Sequence, residues 1–162
     1  MINMKVSVAG VEFKNPVIAA SGTFGFGKEF ASLYDLSILG GISLKGLTVE
    51  RREGNAPPRI AETPSGMLNS VGLQNPGAEY FVRHDLPELR KYDTKLIANI
   101  NGNTAEDYCR VAEIMSAADV DMLELNISCP NDKCGGMAFG VKPQSVLAIT
   151  KTVKPYCRKP LI

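Results

Sequence analysis

The sequence is poor in the groups that most catalytic and metal sites need. It has a single histidine, His84. A Ser-His or Cys-His dyad would have to use it, yet it stands among charged residues, where a surface position is expected. Of the four cysteines, Cys109, Cys129, Cys134 and Cys157, no two have C-x-x-C spacing. That excludes the usual zinc and dithiol motifs and leaves free thiols in a reducing compartment. No apolar run approaches the ~20 residues that cross a bilayer. No apolar signal core follows Met1 to Lys5, so the expectation is a cytoplasmic protein with no membrane partner. The net charge is only +1. The densest cationic cluster, Arg51, Arg52 and Arg59, is interrupted by Glu50 and Glu53. It reads as a solvated loop, with no nucleic-acid partner. The stretch SGTFGFG keeps glycines without G-x-G-x-x-G spacing, so no Rossmann dinucleotide site is read.

What is present is the alternation of an α/β fold. The 162 residues, 44% hydrophobic and 22% charged, are enough for one domain with a core. Short apolar runs at 16–20 (PVIAA), 41–44 (GISL), 96–100 (LIANI) and 122–125 (MLEL) read as strands buried on both faces. Between them lie helical patterns. Thr104 and Asp107 begin one over 104–118, with Tyr108, Val111, Ala112 and Met115 on one face. Pro143 begins another over 143–154, with Val146, Ile149 and Val153 as its stripe. A third is expected from Asn75-Pro76 to about Val82, and a weaker one over 28–34. A small hairpin strand is expected near 59–62, and residues 160–162 begin a fifth strand. Such alternation implies a parallel sheet, either doubly wound or a (β/α)₈ barrel.

Polar residues follow the strand ends. Ser21 and Gly22 come after the first, Lys45 and Gly46 after the second, Asn99 at the end of the third and Asn126 after the fourth. In a barrel all would gather at the C-terminal face, where active sites are built. The densest motif is L-N-I-S-C-P-N-D-K-C-G-G-M-A-F-G at 125–140. There Cys129 sits just past a strand, bracketed by Asn126 and Asn131. Read from residue type alone, it is a nucleophile, a proton-transfer group, a metal ligand or a small hydrophobe.

N-I-S-C-P-N followed by K-x-G-G-x-x-F-G resembles the active-site loop of class 1 dihydroorotate dehydrogenases, in particular the NAD-linked class 1B. ASGTFGFG at 20–27, SLKGLT at 43–48, NSVGLQNPG at 69–77 and IANINGNTAEDY at 97–108 agree in order and spacing. The resemblance implies a (β/α)₈ TIM barrel holding FMN, which oxidises dihydroorotate to orotate in pyrimidine biosynthesis. It implies Cys129 as the base at substrate carbon 5 while a hydride leaves carbon 6 for the flavin. Ser21, Gly22, Lys45, Gly46, Asn99 and Asn126 match cofactor contacts. Lys45, Asn126 and Asn131, with the loop Asn69, Ser70, Val71, Gly72 and Leu73, match substrate contacts. The subclass implies a homodimer joined to an electron-transfer subunit, in a heterotetramer, with FAD and a 2Fe–2S cluster only on that partner and NAD as final acceptor.

A barrel takes ~250 residues. Residues 1–162 are therefore expected to form the N-terminal half of one FMN-binding domain, four βα units plus the start of a fifth strand. A half-barrel completed by a second copy is the lesser alternative. Asp132 and Cys134 depart from the family pattern, and Cys134 is taken as a bystander. Two other functions stay open: a related flavin-dependent dihydropyrimidine dehydrogenase, and an inactive fragment.

Overall fold

The computed structural model describes residues 2–128 and 137–162. Its centre is a four-stranded parallel sheet in the order β3–β4–β7–β8, formed by Ile18–Ala19, Gly41–Ser43, Lys95–Ile100 and Met122–Leu125. Leu161 bridges Leu123 in parallel, and the Ile162 N–H donates to the Leu123 carbonyl at 2.9 Å. The chain thus begins a fifth strand beside β8, where one was expected. β3 is shorter than the PVIAA run. Pro16 has no N–H to give, and the Val17 carbonyl is taken by the N–H groups of Gly40 and Gly41 at 3.0 and 3.2 Å.

The two faces of the sheet differ, as the period of two requires. Ile42, Leu44, Leu96, Ala98, Ile100 and Leu123 point into the main core. The long helix α5, Ala105–Ala117, packs there with Tyr108, Val111, Ala112 and Met115 fully buried. Its start is the expected capping box: Thr104 Oγ1 accepts from the Asp107 N–H at 3.2 Å, and Asp107 Oδ2 accepts from the Thr104 N–H at 3.1 Å. Helix α7, Pro143–Val153, adds Ile149 and Val153 to the same core. Cys109 and Cys157 belong to this packing, and burial pushes both thiols up.

The other face is closed at its N-terminal end by a hairpin that the search for continuous apolar runs passed over. Its strands are β1, Val6–Val8, and β2, Val11–Phe13. Ala9 and Gly10 both have positive φ, 51° and 82°, as a two-residue turn with the twist of its strands requires. The hairpin seats Phe13 against Ile97 and Met122. One step further along that face, Ser43 Oγ donates to the Glu124 carboxylate.

Three other elements correct the sequence expectation. The helix after Gly77 runs on to Leu89 rather than ending near Val82. It consists of α3 (Ala78–Tyr80), a π turn (Phe81–Asp85) and α4 (Leu86–Leu89). Pro87 would crowd the carbonyl four residues back in a regular helix, and the wide π turn before it relieves that. Helix α2 covers only Lys28–Ala31. Ser21–Phe24 coils into a short helix, α1, directly after β3. The hairpin expected near 59–62 is present as β5, Ile60–Thr63, paired with β6, Gly66–Asn69. No helix among the described residues is long and apolar enough to cross a membrane.

Candidate active site at the carboxyl ends of the strands

β4 continues past Ser43 alongside β7. The Leu47 N–H donates to the Asn99 carbonyl, and the Asn101 N–H to the Leu47 carbonyl, both at 2.9 Å. This carries Lys45 and Gly46 over the end of the sheet, on the side where Asn99 and Asn126 point. Asn126 Nδ2 donates to Asn99 Oδ1 at 3.0 Å. Gly46 leaves no room for a side chain: a Cβ there would lie 2.9 Å from Leu73 Cδ1, 3.0 Å from Asn99 Oδ1 and 3.5 Å from Asn126 Nδ2. Four of the expected site residues, from four separate segments, therefore meet within contact distance.

Lys45 anchors the next part of the site. Its N–H donates to the Gly25 carbonyl at 2.9 Å, which ties β4 to the turn after α1. An open cleft of ≈ 430 Å³ lies here, lined by Gly22, Phe24, Phe26, Lys45, Val71 and Gln74 among others. Among the described residues, nothing stands within 4 Å of the position a Gly22 Cβ would take. Ser21 opens α1 at the edge of this region, half-buried.

Residues 69–73 divide into two parts. Leu73 is buried against Gly46, and Val71 lines the cleft. Asn69 and Ser70 stand exposed at the end of the β5–β6 hairpin, outside the Asn99–Asn126 pair. Gly72 and Leu73 both have positive φ, 77° and 53°. Such a conformation is uncommon for leucine and persists only where neighbours impose it.

Several residues that shape the site were not singled out in the sequence. Tyr108, fully buried on α5, holds its hydroxyl 2.6 Å from the Asn126 carbonyl and 2.9 Å from Asn101 Oδ1. It fixes the chain just after β8. The Tyr108 ring meets Phe139 edge-on at 5.7 Å. Asn75 is buried; its amide donates to the Leu73 carbonyl at 2.9 Å and accepts from the Gly77 N–H at 3.0 Å. Arg59, half-buried, adds hydrogen bonds to the reading of the arginine cluster as a solvated loop. Its guanidinium donates to Gln74 Oε1 at 2.8 Å and to the Asn55 carbonyl at 3.3 Å, pinning the hairpin base. Arg51 fits that reading, pairing with exposed Glu53 at 2.8 Å. His84 is exposed beside Tyr80. A buried tyrosine reads as core in any sequence, and a loop asparagine as a turn former, so neither advertised its role.

Cys129 and Asn131, with Asp132 and Cys134, lie outside the described residues. The chain on either side of that segment comes together: a Cβ on Gly140 would stand 2.0 Å from the Ile127 carbonyl oxygen.

The family model described as dihydroorotate dehydrogenase matches residues 3–162. The chain is 57% identical over 161 residues to the catalytic subunit of dihydroorotate dehydrogenase B (NAD(+)) of Alkaliphilus metalliredigens, covering 99% of this chain and 53% of that protein. Against the protein of the same name from Petrotoga mobilis it is 54% identical over 162 residues, covering 100% of this chain and 54% of the relative. For that of Bacillus pumilus the figures are 54% over 159 residues, 98% and 51%. The chain thus spans about half the length of the curated relatives it matches. On the match along nearly its whole length, the chain belongs to the dihydroorotate dehydrogenase family.

Proposed function

We propose that residues 1–162 form the N-terminal half of a (β/α)₈ barrel that oxidises (S)-dihydroorotate to orotate in pyrimidine biosynthesis. The observation that carries this reading is the convergence of Gly46, Leu73, Asn99 and Asn126 at one end of the parallel sheet. These are positions that the family resemblance assigns to flavin and substrate. In this reading the face that packs Phe13, Ile97 and Met122 would turn toward the barrel axis, with the amides above it at the strand ends.

The residues present fit FMN. A flavin ring needs an apolar slot with amide groups and a cation at its edge. The cleft offers Phe24, Phe26 and Val71 as walls, Lys45 at its rim and open space over Gly22. Ser21, Gly22, Lys45, Gly46, Asn99 and Asn126 would hold the group. When bound, it would supply the acceptor for the hydride that leaves substrate carbon 6. Lys45 pairs with the substrate carboxylate and favours the electron-rich reduced ring. Asn126, Asn131 and the loop 69–73 supply the fixed donors and acceptors that a planar pyrimidine requires. Cys129 takes the proton from carbon 5, so that loss of H⁺ and hydride leaves the carbon 5–carbon 6 double bond of orotate. A thiol, with an ordinary pKa of ~8.5, must be partly ionised to act this way near neutral pH.

The relatives' name, catalytic subunit, supports a second subunit here as well. In this reading a homodimer joins an electron-transfer subunit bearing FAD and a 2Fe–2S cluster, which passes electrons to NAD in the cytoplasm. The test is an anaerobic titration of the purified protein with dihydroorotate, following the visible flavin band. Bleaching supports the assignment. A yellow protein that stays yellow points instead to a related pyrimidine-reducing flavoenzyme, and a colourless one to a fragment without the function.

A further inference from the structure

The loop at 70–73 combines two features that do not persist without support. Gly72 and Leu73 are consecutive residues in the left-handed region, and Ser70 before them is exposed. Leu73 is held from inside by its burial against Gly46. From outside the loop meets a turn at Gly54-Asn55.

The Asn55 side-chain amide donates to the Ser70 carbonyl at 2.8 Å and lies 2.9 Å from Ser70 Oγ. The Asn55 N–H donates to the Val71 carbonyl at 3.0 Å. The fit continues at Gly72, where a Cβ would lie 2.7 Å from the Asn55 nitrogen and 2.8 Å from its Cγ. At Gly54, φ is +78° and a Cβ would stand 2.4 Å from the Val71 carbonyl oxygen. One residue therefore grips three successive residues of the loop, using both its backbone and its side chain.

We infer that Asn55 is a positioning residue for substrate recognition: it holds Ser70, Val71 and Gly72 so that the backbone of the 69–73 loop keeps one arrangement toward the pyrimidine. The inference rests on the functional reading above. Asn55 is exposed and is not among the residues lining the Lys45 cleft, so it acts through the loop. A carbonyl only accepts, so the group facing Ser70 O must be the amide nitrogen. An aspartate of the same size offers no donor there.

The test uses the flavin-loaded holoenzyme and compares Asn55→Ala and Asn55→Asp with the parent. Both variants should weaken orotate binding and raise KM for dihydroorotate by about tenfold, a loss of about 1.4 kcal/mol. The rate of flavin reduction at saturating dihydroorotate should change by less than about threefold, and FMN content should stay at the parent level. Orotate affinity within twofold of the parent in both variants would overturn the inference, even if the melting temperature fell. So would an Asn55→Asp protein that binds orotate as the parent does while Asn55→Ala does not, since the donor would then be irrelevant. A parent that carries flavin but is not bleached by dihydroorotate would overturn the functional reading itself, and this assignment with it.

Discussion

Replacing Gly46 by alanine inserts one methyl group where three site residues already touch. The new carbon would lie 2.9 Å from Leu73 Cδ1 and 3.0 Å from Asn99 Oδ1. Both are well inside ordinary contact, and neither neighbour yields easily. Leu73 is buried, with a backbone already at φ 53°, and Asn99 is 2% exposed and bonded to Asn126 at 3.0 Å. On an unconstrained position this change stabilises by about 0.4–1 kcal/mol, because the unfolded chain loses freedom. Here overpacking costs about 1–3 kcal/mol. Separating the two amides costs about another 0.5–1.5 kcal/mol. The balance is a net destabilisation of about 0.5–4 kcal/mol, with weaker binding of both FMN and orotate. Gly66→Ala is the control, since among the described residues its Cβ would meet only Thr63 Oγ1, at 4.0 Å. Thermal melts and flavin titration of the two variants check the sign. A Gly46→Ala protein that melts at or above the parent and holds flavin equally would refute the argument that close approach requires glycine here.

Cys129→Ala should slow flavin reduction by dihydroorotate by several orders of magnitude while leaving flavin content unchanged; stopped-flow bleaching of a loaded sample measures both. Tyr108→Phe removes the hydroxyl from between Asn126 and Asn101, and denaturant melts should show a loss of about 1–2 kcal/mol. Asp121 is linked to acid stability. Burial pushes its carboxyl up, but hydrogen bonds from the Leu96 N–H, Lys95 and Arg90, with the Arg90 charge, outweigh that and hold it below its usual value. Its contribution is therefore complete above the unfolded value of about 3.9 and is lost as pH falls through the lower folded one. In Asp121→Asn the pH dependence of unfolding should flatten in that acid window, and stability at pH 7 should drop by about 1.5–3 kcal/mol, the worth of hydrogen bonds to a charged group. A variant with the parent's acid slope would count against the linkage.

The main elements were legible because their signals are local. Continuous apolar runs marked β4, β7 and β8 almost to the residue, since strands covered on both faces leave no polar alternation. The Thr104–Asp107 box and the Tyr108–Met115 stripe marked α5 for the same reason. The β1–β2 hairpin was missed because it alternates, and only packing tells that Phe13 covers Ile97 and Met122. The length of the helix after Gly77 was missed because the chain passes Val82 in a π turn, which has no 3.6-residue pattern to follow.

The site divides along the same line. Residue type and position at the strand ends were enough to group Lys45, Gly46, Asn99 and Asn126 as candidates, because in a parallel sheet every strand ends on the same side. The contacts that hold the 69–74 loop and the chain after β8 were decided by the tertiary structure alone. Asn55 gripping Ser70, Arg59 tied to Gln74 and Tyr108 under Asn126 are contacts across 15, 15 and 18 residues of sequence. A hydrogen bond of that span has no period or spacing to betray it. It exists only once folding has brought its two ends together.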